Sequence, residues 1–282
     1  MDRRTLVSAA ELRDCLDDEA VVILDARFNL DDEAWGDRVY AEAHIPGARR
    51  ADLARHLGGR IVPGVTGRRP FPDPQDFAQD LGAWGIDDTT QVVVYDAEGG
   101  LMAAARAWLM VRWMGHDRVA VLDGGLPAWQ AIDGPLTSEE PSPIATVFPI
   151  RLRPSLVVDA EEVDALRVRE PIRVFDSRGE AIHRGLVPSH DPIDGHIAHT
   201  GLADRAHTLT SDARLRSPED LRAHYGSLIG AVDPREVVFY CGSGVTAAQN
   251  VLAMEHAGLP GSRMYVGSWS EWITDPTRAT ER

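Results

Sequence analysis

The feature that most constrains this chain is a sequence pattern that occurs twice. An apolar run ending in Asp-x-Arg occurs at residues 21–27 and again at 173–178, with Asp25 and Asp176 separated by 151 positions. An Ala-His-Ile or Gly-His-Ile triplet follows each run, at 43–45 and 195–197. A second apolar run comes next, at 92–96 and 237–241, and a related Gly-containing segment closes each copy, at 123–129 and 266–272. The repetition predicts two domains of similar structure.

Each copy alternates short β-rich runs with helical ones, which is typical of α/β domains with a mainly parallel sheet flanked by helices. We expect helices at 102–114 and 248–256, ended by Gly115 and Gly258. The stretch from about 134 to 154 is rich in Pro, Ser and Glu, and its apolar residues follow neither a helical nor a strand period. This composition is typical of a linker. The predicted division is a domain at 1–135, a linker at 136–154 and a second domain at 155–282.

Composition excludes some classes of partner. Asp and Glu number 44 against 29 Lys and Arg, and the net charge is −15. Nucleic acid or an anionic membrane is therefore not expected as the main partner, because both need clustered basic charge. The start of the chain lacks an apolar leader run and no apolar run is long enough to span a membrane, so a cytoplasmic location is expected.

The chain has two cysteines, Cys15 and Cys241, which provide neither a disulfide framework nor a zinc-binding spacing. Cys241 ends an apolar run and opens a glycine loop that leads into a predicted helix. Such a position aims a thiol at backbone N–H groups and at a helix N-terminus, which should lower its pKa. The alternative is a buried structural cysteine at a strand end. Cys15 lacks this setting and is interpreted as inert.

The two copies differ at this loop, because the first carries Asp96 where the second carries Cys241. A carboxylate cannot perform thiolate chemistry, so a catalytic site is predicted in the second domain alone. Functional sites of open parallel sheets lie at the carboxyl ends of the strands, where Cys241 falls.

The motifs together resemble the two-domain rhodaneses, the thiosulfate and 3-mercaptopyruvate sulfurtransferases. The resemblance rests on Cys-Gly-Ser-Gly-Val-Thr-Ala at 241–247, Gly-Ser-Trp-Ser-Glu-Trp at 267–272, Ala-His-Ile-Pro-Gly-Ala at 43–48 and Leu-Asp-Gly-Gly-Leu at 122–126, and it covers nearly the whole chain. It implies a transferase in which Cys241 takes sulfane sulfur from a small anionic donor. The persulfide would then pass this sulfur to a thiol, to cyanide or to a protein thiol. No cofactor is implied.

The loop after Cys241 suits that chemistry. Backbone N–H groups of the loop would stabilise an anionic persulfide; the loop residues are Gly242, Ser243, Gly244, Val245 and Thr246. Thr246 is either a helix N-cap or a ligand group. Asp176 and Arg178 are expected to brace the neighbouring loops. A Cys-Gly-Ser-Gly loop resembles the mercaptopyruvate type, whereas two basic residues after the cysteine resemble the thiosulfate type.

The substrate-binding residues depart from the family pattern. The arginine that usually follows Asp-x-Arg by four positions is Ile182 here, and a further arginine of the mercaptopyruvate enzymes falls on Asp191. A first-domain histidine of those enzymes is replaced by Arg69, and an accompanying aspartate by Ala54.

A replacement cation is therefore expected elsewhere. Arg184, two positions after Ile182, is the predicted anchor for the donor anion, and Arg68 or Arg69 could contribute from the first domain. For each arginine the alternative is an ordinary solvated or salt-bridged residue.

Three alternative functions make different demands on the sequence. Cysteine-based phosphatases and arsenate reductases need an arginine at the sixth position after the cysteine, where this chain has Ala247. A non-catalytic tandem rhodanese-like binding or regulatory protein is the main alternative, and a sulfurtransferase with a larger donor is another. A metal site is not predicted, although histidines are dense between 183 and 207. Pathway and oligomeric state have no signal in the sequence.

Overall fold

The chain, described over all of residues 1–282 by a computed structural model, divides into two units. The first comprises Met1–Gly59, Phe71–Arg153 and Asp212–Arg214, and the second comprises Arg60–Pro70, Pro154–Ser211 and Leu215–Arg282. Two short segments, 60–70 and 212–214, thus belong to the unit other than the one their sequence position suggests. The predicted domain and linker boundaries themselves stay a prediction.

The first unit is an α/β structure. Its strands are β1 (Leu6–Val7), β2 (Val21–Asp25), β3 (Arg49–Arg50), β4 (Gln91–Tyr95) and β5 (Val119–Leu122). Its helices are α1 (Ala9–Arg13), α2 (Trp35–Glu42), α3 (Pro74–Ala83), α4 (Ala103–Trp113) and α5 (Gly125–Ala131).

The second unit repeats this arrangement. Its strands are β6 (Val157–Val158), β7 (Val174–Asp176), β8 (His196–Ile197), β9 (Gly201–Leu202), β10 (Val238–Tyr240), β11 (Arg263–Tyr265) and β12 (Thr280–Glu281). Its helices are α6 (Ala160–Arg167), α7 (Glu180–His183), α8 (Pro218–Ile229), α9 (Ala247–His256) and α10 (Ser268–Trp272). The predicted helices at 102–114 and 248–256 are α4 and α9, within one residue at each end.

Both units have the same sheet order. The strands run β1-β5-β4-β2-β3 in the first and β6-β11-β10-β7-β9 in the second, and every pairing within these two sheets is parallel. A separate antiparallel pair joins β8 to β12. The predicted fold class is confirmed. The structure places β4 and β10 at the centre of their sheets, and their carboxyl ends lead into Asp96 and Cys241.

The central strands consist of apolar runs because both of their faces are covered. Every residue of β2, β4 and β10 is buried, as expected when helices cover both faces of a parallel sheet. Helix α4, which is rich in Ala, Trp and other apolar residues, is buried along almost its whole length. No helix of the protein is long and apolar enough to cross a membrane.

The Asp-x-Arg motif forms a buried ion pair in each unit. Arg178 donates to both carboxylate oxygens of Asp176, and its Nη2 also donates to the Gly195 carbonyl at 2.7 Å. Arg27 pairs with Asp25 and reaches the Ala43 carbonyl in the same way. Each pair therefore ties the end of a strand to the segment that carries the His-Ile motif.

The environment of Asp176 keeps it ionised. Burial alone would raise the pKa of this carboxyl, but the hydrogen bond from His183 and the charge and hydrogen bonds of Arg178 lower it below its usual value. The carboxylate is fully buried, and the Arg178 side chain is 7 % exposed. The pair therefore depends on both partners, since either one alone would be an uncompensated buried charge.

We predict that Asp176→Asn lowers the free energy of unfolding by roughly 3–5 kcal/mol, because it leaves the Arg178 guanidinium buried without its counter-charge. Urea denaturation followed by near-UV circular dichroism measures the effect. Asp233→Asn is the matched control, because the Asp233–Arg235 pair has the same two-pronged geometry on the surface. Equal midpoints for the Asp176 variant and this control would refute the bracing role.

Candidate active site in the second unit

Cys241 lies directly after the central strand β10, and its side chain is buried, with 1 % of the residue exposed. The loop 242–246 turns the chain into α9 within five residues. Gly244 has a φ of +74°, a backbone conformation that glycine adopts without a steric cost. Ser243 and Val245 are buried beside it. The predicted order of strand, glycine loop and helix is therefore present.

The thiol lies within a group of hydrogen-bond donors. The Gly244 N–H donates to Sγ of Cys241 at 3.2 Å. Burial alone would raise the pKa of the Cys241 thiol, but hydrogen bonds from the Thr246 hydroxyl and from the N–H groups of Ala247, Ser243 and Gly244 lower it below its usual value. The N-terminus of the ten-residue helix α9 faces the same loop and adds a favourable dipole for an anion. The loop can thus hold a thiolate.

The sequence leaves two roles open for Thr246, a helix N-cap or a ligand group. It occupies the N-cap position of α9, yet its side chain makes no capping hydrogen bond. A hydrogen bond from its hydroxyl is instead among the causes that lower the pKa of the Cys241 thiol.

Helix α10 supports the loop from the other side. The Trp269 N–H donates to the Cys241 carbonyl and the Ser270 N–H donates to the Gly242 carbonyl, both at 2.9 Å. The Cys241 N–H in turn donates to Oγ of Ser268 at 3.1 Å. The cysteine backbone is therefore fixed on both sides by the first turn of this helix.

Ser268 is a site residue that the sequence reasoning missed. Its Oγ lies 4.0 Å from Sγ of Cys241, and its backbone has a φ of +54°, which is unusual for a residue with a side chain. The equivalent residue of the first unit is Gly125, with a φ of +57°. A serine in a place where the repeat has glycine is the signal that could have identified it.

The predicted bracing residues lie next to this loop. The Ser177 N–H donates to the Tyr240 carbonyl at 2.7 Å, one residue before the cysteine. The Arg178 guanidinium lies 5.2 Å from the Trp269 ring centre, and its Nη1 is buried without a hydrogen-bond partner. Burial lowers the pKa of Arg178, but the charge and hydrogen bonds of Asp176, with smaller contributions from Tyr240 and Cys241, raise it above its usual value. Asp176 is hydrogen-bonded to Arg178 and His183 and pairs with Tyr240 between strands β7 and β10. It therefore supports the Cys241 loop indirectly, through these neighbours.

The predicted anion anchors have different surroundings. The side chain of Arg184 is 62 % exposed and pairs with Glu180 at 2.8 Å. Arg69 is partly buried within the segment 60–70 of the same unit. Arg68, which precedes it, lies beside the cysteine loop: a Cβ at Gly242 would be 3.3 Å from its Nη2. The anchoring roles of Arg184 and Arg69 stay predictions.

The equivalent loop of the first unit already holds an anion. The Asp96 carboxylate accepts four backbone N–H groups at 2.8–3.0 Å, donated by Glu98, Gly100, Met102 and Ala104. Burial raises the pKa of Asp96 above its usual value, and these hydrogen bonds offset part of that effect. This arrangement shows that the loop after the central strand is a binding place for one negative charge.

Histidines near the site pair with one another. The rings of His183 and His196 stack with centroids 3.7 Å apart, and Nδ1 of His183 lies 3.1 Å from Asp176. No group of three or more His, Cys, Asp or Glu side chains is placed to hold a metal ion.

Comparison with known proteins agrees with this fold. The family model described as a rhodanese-like domain matches residues 8–132 and 159–275. A Pseudomonas aeruginosa protein described as "Probable 3-mercaptopyruvate sulfurtransferase" is 43 % identical over 279 residues, which cover 99 % of this chain and 98 % of that protein. The thiosulfate sulfurtransferase of Bos taurus is 32 % identical over 256 residues, covering 89 % of this chain and 84 % of that protein.

Solved structures agree as well. The 3-mercaptopyruvate sulfurtransferase from Leishmania major superposes with a TM-score of 0.84 at 29 % identity, covering 95 % of this chain and 74 % of that one. The chain belongs to the two-domain rhodanese family. Within that family it is a sulfurtransferase.

We predict that Thr246→Val raises the pKa of the Cys241 thiol, because it removes one of the hydrogen bonds that favour the thiolate. The thiolate absorbance of Cys241 can be followed against pH after subtraction of the absorbance of a Cys241→Ser variant. It should appear at a higher pH in Thr246→Val than in the wild type. At the acidic end of the profile the transfer rate should fall roughly tenfold, the effect of losing one charge-assisted hydrogen bond.

Thr274→Val serves as the control, since the Thr274 hydroxyl donates to the Glu271 carbonyl and not to the loop. A Thr246→Val profile identical to that of the wild type would show that the hydroxyl does not act on the thiol.

Proposed function

We propose that the chain transfers sulfane sulfur from 3-mercaptopyruvate or thiosulfate to a thiophilic acceptor through a persulfide on Cys241. The observation that carries this proposal is the setting of the thiol: buried, with a lowered pKa, and surrounded by N–H and hydroxyl donors. The proposal is also supported by the family to which the chain belongs, because relatives in it are named for these two donors.

The first half-reaction moves one sulfur atom to the enzyme. The Cys241 thiolate attacks the sulfur of 3-mercaptopyruvate, an S–S bond forms, and the C–S bond breaks with its electron pair going to the carbon. The thiol proton of the donor then converts the resulting enolate to pyruvate, leaving Cys–S–S⁻ on the enzyme. With thiosulfate the outer sulfur is transferred and sulfite leaves.

The second half-reaction regenerates the thiolate. An acceptor such as cyanide or a thiolate attacks the outer sulfur of the persulfide, the S–S bond breaks, and its electron pair returns to Sγ of Cys241. The negative charge stays near the loop throughout, so the donors that stabilise the thiolate would also stabilise the persulfide without reorganisation. The four N–H groups around Asp96 in the equivalent loop support this role, because they hold a carboxylate of the same charge.

The composition of the loop favours 3-mercaptopyruvate as the donor. Residues 242–247 contain no Lys or Arg, whereas the thiosulfate type carries two basic residues there. The 43 % identical relative is named for the same substrate. Side-by-side assays of pyruvate and sulfite release test this preference.

We predict that Cys241→Ser abolishes sulfur transfer with every donor, because the nucleophile is lost. Intact-mass spectrometry of the wild type after donor treatment should show one added sulfur, located on Cys241. Cys15→Ser is the control and should retain activity within a factor of a few, since Cys15 packs against the core of the first unit. Turnover by the Cys241→Ser variant, or added sulfur on Cys15, would exclude this mechanism, and an inactive wild type would favour the non-catalytic alternative.

A further inference from the structure

We propose that Arg68, held in place by Asp191, binds the anionic group of the sulfur donor at the entrance to the Cys241 loop. This inference rests on the proposed function and assigns the cation that its anionic donor needs. Arg68 belongs to the segment 60–70, which forms part of the second unit together with Cys241.

The backbone of this segment is fixed against the helix that supports Cys241. The Arg68 N–H donates to Oγ of Ser270 at 3.0 Å, and the Gly67 N–H bonds to the Glu271 carboxylate. Gly67 also lies so close to Gly267 that a Cβ would be 2.5 Å from the Gly267 carbonyl oxygen. The first turn of α10 thus positions both the cysteine loop and Arg68.

The guanidinium is oriented by a two-pronged ion pair. Nε donates to Oδ1 of Asp191 at 2.8 Å, and Nη2 donates to Oδ2 at 3.0 Å. The Asp191 side chain is 2 % exposed and that of Arg68 is 37 % exposed. No other hydrogen bond involves this guanidinium, so both N–H groups of Nη1 remain available for a ligand.

The pair lies beside the residue that follows the nucleophile. A Cβ at Gly242 would be 3.3 Å from Nη2 of Arg68 and 3.8 Å from Oδ2 of Asp191. The absence of a side chain at Gly242 therefore lets the guanidinium approach this side of the loop closely. Since the persulfide forms on the adjacent residue, a donor of a few atoms could place its sulfur on Cys241 and its anionic group near Arg68.

An anionic donor needs a positive charge near the Cys241 loop. The protein has a net charge of −15, and Asp191 places a further carboxylate near the loop that an anionic donor must enter. Arg68 neutralises the Asp191 carboxylate through their ion pair. It also retains N–H donors for the carboxylate or sulfonate group of the donor. Asp191 acts through Arg68 and is therefore a positioning residue.

The alternative is that Arg68 serves only to neutralise the buried Asp191, and paired variants separate the two roles. Arg68→Ala should raise KM for 3-mercaptopyruvate roughly ten- to a hundred-fold, the effect of losing a charge-assisted hydrogen bond, with a smaller change in kcat. The double variant Arg68→Ala/Asp191→Asn removes the unpaired buried carboxylate but does not restore the cation. A donor-binding Arg68 predicts that KM stays raised in the double variant, whereas recovery of the wild-type KM would overturn the proposal.

Two further variants complete the test. Arg68→Lys retains the charge without the two-pronged geometry, and should recover part of the lost affinity. Arg235→Ala is the matched control, because it removes an equally two-pronged Arg–Asp pair before β10, at the end opposite to Cys241, and should leave KM unchanged. Thermal unfolding of each variant shows whether the fold is retained.

An equilibrium measurement separates this inference from the proposed function. Calorimetric titration of pyruvate into Cys241→Ser, with and without Arg68→Ala, reports anion binding without any sulfur transfer. We expect pyruvate to bind roughly ten- to a hundred-fold more weakly when Arg68 is absent. Equal affinities would refute the role of Arg68 even if Cys241 proves to be the nucleophile, whereas weakened binding would support Arg68 even if the persulfide mechanism failed.

Discussion

The structure depends on one constraint: a negative charge buried at the carboxyl end of a central parallel strand must be met by hydrogen-bond donors. Both units satisfy it with the loop that leads into the next helix. In the first unit the Asp96 carboxylate accepts four N–H groups, and in the second the Cys241 thiol is surrounded by N–H groups and the Thr246 hydroxyl. Duplication thus produced two anion-binding loops. One is filled by a carboxylate of the chain itself, and the other carries a thiol that can react.

The second loop keeps its geometry because neighbouring elements hold it. The Asp176–Arg178 pair ties the adjacent strand to the His-Ile segment, and α10 bonds to the backbone of Cys241 and Gly242. Ser268 shows the cost of this support, since it adopts a left-handed conformation that Gly125 adopts freely in the repeat. In return its hydroxyl accepts the Cys241 N–H and lies close to the thiol. Backbone strain is located beside the proposed nucleophile, whose backbone it helps to position.

The substrate side of the site is organised by a different kind of interaction. The family pattern has arginines where this chain has Ile182 and Asp191, so the chain lacks the family's usual anion-binding groups at these positions. The structure brings Arg68 onto Asp191 and places the pair beside Gly242. A carboxylate at a position expected to carry a cation is compatible with an anionic donor only because a second residue supplies the opposite charge. The proposed role of Arg68 follows from that compensation.

The sequence by itself determined the duplication, the parallel α/β class and the location of Cys241 at a strand end, because these depend on local periodicity and on glycine spacing. It also identified the Asp176–Arg178 pair, whose members are two residues apart. Tertiary structure alone decided which residues meet the loop from elsewhere: Ser268 lies 27 positions from Cys241, and Arg68 lies 123 positions from Asp191 and 202 from Ser270. Such contacts leave no periodic signal, since they depend on how a helix N-terminus and a distant segment pack against the same loop. The direction of the Thr246 hydroxyl was open for the same reason, because a capping bond and a bond to the thiol are equally compatible with its place in the sequence.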